Sequence, residues 1–190
     1  MTSRADYTVV LAPIGEMDPW FCEVIARAVE RVFACRTEIR PLLSDVEFAR
    51  DAQRRQYHST PILERLAVRA PEGVLKVIAV TQVDLFIPIL TYVYGEAQLG
   101  GKSAILSIHR LQEGFAAANP SLQCRLAKEA VHELGHTFGL RHCPERTCIM
   151  HYCRSTQDVD RKSEQLCRHC RVLLQDELKR LGIAVGGGGS

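Results

Sequence analysis

Apolar residues fall along this chain in two rhythms. From Tyr7 to Ile14 (Tyr-Thr-Val-Val-Leu-Ala-Pro-Ile) they form a short β-rich run, which predicts a first strand. From Met17 to Phe33 they recur every three or four places. Phe21, Val24, Ile25, Ala28, Val29 and Val32 share one stripe, as on one face of a helix. Asp18 before Pro19 suits a cap followed by proline at the first helical position. Cys22 lies in this helix and reads as a small buried thiol, not a ligand. A second strand is expected from Cys35 to Leu43. Phe48 to Tyr57 is polar and reads as helical or irregular. Ser59-Thr60-Pro61 starts a shorter helix that runs to about Arg69, and Pro71-Glu72-Gly73 closes it as a turn.

Val74 to Phe86 holds the most apolar β-rich run, Val-Leu-Lys-Val-Ile-Ala-Val-Thr, and is expected as a central strand. Thr91 to Ala97 and Ser103 to His109 are two more strands. The link Gln98-Leu99-Gly100-Gly101-Lys102 is short enough for a hairpin, so the first of them would be an antiparallel edge strand. Asn119-Pro120-Ser121 opens a helix that runs to Gly139, with Leu134 and Phe138 toward the core. The stretch from Arg141 to Leu166 is polar and loop-like. Gln165 to Leu181 is a last helix with Leu166, Val172, Leu173, Leu174, Leu178 and Leu181 on its apolar side. Strands alternating with helices predict an α/β fold. The expected sheet is twisted, five-stranded and mostly parallel, with one antiparallel edge strand and three main helices. Residues 1–185 are read as one domain, and Gly186 to Ser190 as a flexible Gly/Ser tail.

Composition narrows the function classes. The 190 residues are 46% hydrophobic and 24% charged, an ordinary globular balance. A net charge of +2 is too small to argue for a nucleic-acid surface. No apolar run is long enough to span a bilayer. Met1 to Asp6 lacks the pattern of a signal peptide. The expectation is a cytoplasmic monomer that engages neither nucleic acid nor membrane. In that setting the eight cysteines read as metal ligands or buried thiols sooner than disulfides.

The chemistry concentrates in His132-Glu133-Leu134-Gly135-His136-Thr137-Phe138-Gly139-Leu140-Arg141-His142-Cys143, that is, HExxHxxGxxHC. Residues four apart share a helix face, so His132 and His136 can hold one metal ion, with Glu133 beside it as a base for the attacking water. Gly139 can take positive φ and stop the helix, which lets His142 return as a third ligand. Three imidazoles leave a coordination position open, as a catalytic zinc requires. The bland alternative is a helix carrying two histidines by accident. Cys143 and Cys148, with the CxxC of Cys167 and Cys170, supply four thiolates for a closed structural zinc. Their alternative is two disulfides or free thiols. His169 is expected to face solvent, Cys153 is a spare donor, and His151 is a candidate for the cleft wall. Cys124, about 12 Å along the helix from His132, is too far to be a ligand. His58 and His109 read as ordinary surface or strand histidines.

Read together, HExxHxxGxxHC, Cys148-Ile149-Met150 and the CxxC at Cys167–Cys170 closely resemble the archaemetzincins, zinc metallopeptidase-like proteins of the metzincin clan. The Met-to-CxxC spacing is one residue shorter than the family pattern, and the resemblance extends upstream through Val83 to Leu111. It implies a metzincin-like fold and peptide hydrolysis, with two zinc ions and a peptide or protein as substrate. It also makes Met150 a floor beneath the histidines and the backbone of Tyr92 to Ala97, including Tyr94, a strand that an extended peptide can pair with. Tyr152 stands where some metzincins use a tyrosine as extra ligand or oxyanion donor; the alternative is a packed loop tyrosine. Glu96 is a candidate for holding a substrate amine. The competing class is a zinc-stabilised peptide- or protein-binding module with little turnover, and Glu133 argues against it, since a purely structural site has no use for a base.

Overall fold

The computed structural model describes residues 7–112 and 119–183. Its elements, in chain order, begin with β1 (Thr8–Pro13), α1 (Pro19–Phe33) and β2 (Arg36–Ile39). A 3-10 turn at Glu47–Ala49 leads into β3 (Arg50–Asp51), β4 (Gln56–His58) and α2 (Ser59–Arg69). Then follow β5 (Lys76–Thr81), β6 (Leu85–Phe86), β7 (Gly95–Ala97) and β8 (Ser103–Ser107). The last three are α3 (Pro120–Thr137), α4 (Thr156–Arg161) and α5 (Arg168–Arg180). The Gly/Ser tail and the N-terminal residues read for a signal lie outside the described residues.

The main sheet has the order β2-β1-β5-β8-β7, with β7 antiparallel to β8 and every other pairing parallel. The fold is therefore the expected α/β class with a five-stranded, mostly parallel sheet and an antiparallel edge. The period of two sorts the central strands between two layers. Val9, Leu11, Ile78, Val80 and Leu106 face α1 and α3, where they meet Phe21, Ile25, Leu126, Val131 and Leu134. Val10, Ala12, Val77, Ala79 and Ile105 face the other way, onto Ile62, Leu63 and Leu66 of α2.

Local signals account for the helix starts. The Asp18 side chain accepts from the Trp20 N–H, and the Asn119 side chain accepts from the Ser121 N–H, each with proline in the first turn. Several expectations change: Val172, Leu173 and Leu181 of the last helix are exposed, only Leu166, Leu174 and Leu178 of its expected stripe being buried, and the stretch from Phe48 to Tyr57 holds β3 and the start of β4. The run from Val74 to Phe86 breaks after Thr81, because Asp84 is drawn into a buried pair with Arg110 and Gln56, and only β6 continues, in a second three-stranded sheet with β3 and β4. The edge strand keeps only Gly95–Ala97; upstream, Val93 bridges to Leu85 instead, so the segment crosses from one sheet to the other. The loop after Arg141 contains a helix, α4, started by a capping box in which Ser155 and Asp158 bond each other's backbone N–H groups.

That helix is fastened to α3 by a two-pronged ion pair. Arg125, almost wholly buried, places Nε 2.7 Å and Nη2 2.7 Å from the two carboxylate oxygens of Asp160, while its Nη1 bonds the Leu111 carbonyl. The guanidinium holds the Asp160 carboxyl below its ordinary 3.8. A carboxyl lowered on folding contributes its full share above that value and loses it as pH falls below. Asp160→Asn is expected to cost about 1–2 kcal/mol in urea unfolding at neutral pH. Below pH 3.8 the variant should lose stability less steeply than the parent, and parallel slopes would contradict this account.

Candidate metal centres

Helix α3 carries the first cluster. Its last two turns are buried, and Gly139, at φ 82°, ends it by letting the chain double back. The returning strand of chain does more than deliver His142. The His136 Nδ1–H donates to the Leu140 carbonyl at 2.6 Å, and the His132 Nδ1–H to the Ile149 carbonyl at 2.9 Å. Both rings are thereby held with Nε2 as the lone-pair atom, and the two Nε2 atoms lie 3.1 Å apart. The His142 ring completes the set, 4.9 Å from that of His136 and 5.3 Å from that of His132, and one nitrogen from each of the three comes within 4.8 Å of the others. Tetrahedral zinc with bonds of 2.0–2.1 Å sets its nitrogens about 3.3 Å apart, so the donor set fits that ion. Burial pushes all three histidines below their usual range, His136 to about 4 and His132 well down. They are neutral at neutral pH, the form that ligates.

Glu133 lies on the same turn with its side chain against the edge strand. A Cβ at Gly95 would run into the Ile105 carbonyl oxygen of β8 and come 2.6 Å from Glu133 Cγ, so glycine there serves both the close strand pairing and the room for the carboxylate. Burial pushes the Glu133 carboxyl well above its usual range, and the charges of Glu129 and Glu96 add to this while Lys162 opposes it. Such a carboxyl is a better proton acceptor than an exposed one. On the helix's other side Met150, fully buried, presses its sulfur onto Gly135: a Cβ there would sit 2.7 Å from Met150 Sδ.

The cleft over this cluster has a volume of about 650 Å³ and is walled by β7 with residues 90–94 on one side and by Arg141, Tyr152 and Arg154 on the other. Tyr152 packs its ring 5.0 Å from that of His142. Tyr92 and Tyr94 line the cleft edge to face, but the Tyr92 hydroxyl donates across it to the Arg154 carbonyl at 3.0 Å. Both carboxylate oxygens of Glu96 accept from Ser59 and Thr60 at the start of α2. His151 is not among the cleft residues; its Nδ1 bonds the Cys143 carbonyl and braces the loop instead. Cys153 lines the cleft, while Cys124 and His169 are exposed. His58 stacks on Phe86.

Cys143, Cys148, Cys167 and Cys170 form the second cluster, with their sulfurs within 4.8 Å of one another and no disulfide among them. Cys143 Sγ and Cys167 Sγ are 3.8 Å apart, matching the separation of about 3.8 Å expected for tetrahedral zinc–thiolate bonds of 2.3 Å. Backbone N–H groups of Cys167 and Cys170 point at sulfur. Two charged residues escaped the motif reading. Lys162, wholly buried, pairs with Glu129 at 2.6 Å and stands 3.4 Å from His132 Nδ1. Glu129 carried a signal, since it lies three and four places before His132 and Glu133 on the same helix. Lys162, thirty residues downstream, carried none.

Comparison with known proteins agrees with this geometry. The family model described as peptidase family M54 matches residues 70–176. The archaemetzincin of Methanocaldococcus jannaschii is 35% identical over 171 residues, covering 88% of this chain and 93% of its own. That of Methanopyrus kandleri is 43% identical over 138 residues, covering 72% and 75%.

The chain belongs to peptidase family M54, the archaemetzincins.

It is thus a zinc metallopeptidase. The crystal structure of the Methanopyrus kandleri archaemetzincin superposes with a TM-score of 0.80 at 35% identity, covering 92% of this chain and 96% of that one. The archaemetzincin of Archaeoglobus fulgidus, solved in complex with malonate, gives 0.75 at 36% identity, covering 87% and 99%. In this archaemetzincin the contact of Met150 with Gly135 is directly testable. Gly135→Ala should cost about 1–3 kcal/mol by overpacking, and Met150→Ala about 2–5 kcal/mol by leaving a cavity. The double variant should cost less than their sum in urea unfolding, because each change relieves the other. Strict additivity would separate the two residues.

Proposed function

We propose that this archaemetzincin cleaves peptide bonds with one zinc ion held by His132, His136 and His142, while a second, structural zinc is held by Cys143, Cys148, Cys167 and Cys170. When bound, the first ion supplies a Lewis acid that polarises the scissile carbonyl and acidifies the attacking water. Glu133 takes the water's proton and later hands it to the leaving amine. Its raised proton affinity, set by burial beside Glu129, suits both halves of that exchange. The imidazoles are neutral, and those of His132 and His136 are oriented through their Nδ1 bonds so that Nε2 would face the ion.

The substrate is a peptide or protein segment laid along β7, whose outer backbone groups have no sheet partner among the described residues and can pair with an extended chain. Gly95 sets the scissile bond's side of that strand against Glu133. Tyr152 is the tyrosine placed to touch the reacting carbonyl; Tyr92 and Tyr94 shape the wall. The observation that carries the reading is the convergence of three neutral imidazoles and a buried carboxyl of raised proton affinity on one open cleft. No helix among the described residues is long and apolar enough to cross a membrane.

Cleavage of a mixed peptide library by zinc-loaded protein tests the mechanism. Glu133→Ala should lower kcat by about 100- to 10,000-fold while zinc content stays unchanged. Cleavage by the variant at the parental rate would refute the base assignment. Metal analysis separates the two centres. The parent should hold two zinc ions per chain, and His136→Ala should lose one with little change in thermal midpoint. Cys148→Ser should lose the other and unfold at markedly lower temperature, because a metal there would cross-link the loop before Met150 to the start of α5. Equal thermal losses in both variants would deny the second centre its structural role.

A further inference from the structure

A lysine in the first position of a fully buried parallel strand is out of character, since buried charge is tolerated only where it is well paired. Lys76 opens β5 and is 6% exposed. It shares the face of Ile78 and Val80, toward α3. Its ammonium has two carbonyl partners and no carboxylate within ion-pair distance among the described residues. Nζ donates to the Thr137 carbonyl at 2.6 Å and to the Gly101 carbonyl at 2.7 Å, and it sits 4.9 Å over the Phe138 ring. Thr137 is the last residue of α3, and Gly101 lies in the turn between β7 and β8. A second link runs alongside, from the Gly100 N–H to the His136 carbonyl at 2.9 Å.

These contacts join three things: the end of the helix that bears His132, Glu133 and His136; the hairpin that bears the edge strand; and the central strand. A cation at the carboxyl end of a helix meets the partial negative charge of its unpaired carbonyls, so the position suits an ammonium. Glu133 already touches β7 at Gly95. The hairpin's far end is where that contact would loosen if nothing held Gly100 and Gly101 to α3. We propose that Lys76 is a positioning residue for the substrate groove, fixing the edge strand against the metal-bearing helix by bridging the Thr137 and Gly101 carbonyls. This rests on the reading that substrate pairs with β7.

Lys76 touches neither substrate nor metal, so its loss should leave both centres loaded and act on how an extended chain is held. Lys76→Met removes the cation and both donors at similar length; Lys76→Gln, which keeps a single short amide, serves the same test if the first variant does not fold. Three readouts are taken on the zinc-loaded protein. Zinc content should equal the parent's. The kcat/KM for peptides long enough to lie along β7 should fall by about ten- to a hundredfold, chiefly in KM, whereas a minimal dipeptide substrate should change less than about threefold. Amide exchange at Gly100, Glu96 and Gln98, whose N–H groups face α3 or β8, should quicken while that of β1 and β5 holds, and Lys76→Arg should recover part of the protection. Faster exchange spread evenly over the sheet, with equal losses on long and short substrates, would make Lys76 an ordinary stability residue and overturn the proposal. Unchanged exchange at the hairpin would overturn it as well. Hairpin loosening without the substrate-length effect would sink instead the reading that peptides pair with β7.

Discussion

Two imidazoles on one helix serve a metal only if their lone pairs converge, and that depends on where their other nitrogens place a proton. Here both Nδ1 protons go to backbone carbonyls, Ile149 for His132 and Leu140 for His136. Neither acceptor is on the helix. One follows the Gly139 turn and the other precedes Met150, so the donor geometry of α3 is set by the loop that comes after it. That loop is in turn pinned by Cys143, Cys148, Cys167 and Cys170. The Cys143 N–H bonds the Met150 carbonyl, and the Ile149 N–H bonds the Gln165 carbonyl beside the CxxC. A metal held by the four thiols, as proposed, ties down the strip of backbone that orients the histidines. In the proposed arrangement the structural centre steadies the loop that orients the catalytic one.

Burial and charge are balanced closely around that strip. A buried ammonium, a buried carboxylate and a second carboxyl lie within one helical turn of His132. Lys162 and Glu129 neutralise each other, which limits the cost of taking both out of water, and a half-removed pair would leave an uncompensated charge. The position of Lys162, at the end of α4, explains why that short helix is fastened so firmly to α3 through Arg125 and Asp160. An error in docking α4 would move a full positive charge relative to a metal ligand.

Much of this was readable in order of sequence. The caps at Asp18 and Asn119, the continuous apolar runs of β1 and β5, the hairpin glycines and the HExxHxxGxxHC spacing are all local signals, and local physics sets them. What escaped was decided between distant residues. Nothing near Val93 announces that it will bridge to Leu85 and shorten the edge strand. Lys162 looks like any surface lysine until α4 folds back onto α3. Asp84 ends a strand because Arg110 and Gln56 arrive from elsewhere. Ser155-Thr156-Gln157-Asp158 did carry a capping-box pattern and could have been read as a helix start. The glycines at 95 and 135 are the subtler case. Neither needs positive φ; a Cβ at 135 would meet the Met150 side chain, and one at 95 would meet the Ile105 carbonyl oxygen as well as the Glu133 side chain.

The two clusters differ in exposure, and the difference follows from what each must do. Three of the four cysteines are buried, and the fourth is the cap of α5, so a metal there is enclosed by protein on all sides. Among the histidines only His132 is buried; His142 stands at the cleft wall against Tyr152. A set open on one face can admit substrate, and by the same opening it can lose its ion. A frame that depended on that ion for folding would fail each time it left. In the proposed division of labour the folding load falls on thiolates and the imidazoles stay prearranged by backbone carbonyls, so the open centre can exchange its metal without losing its shape.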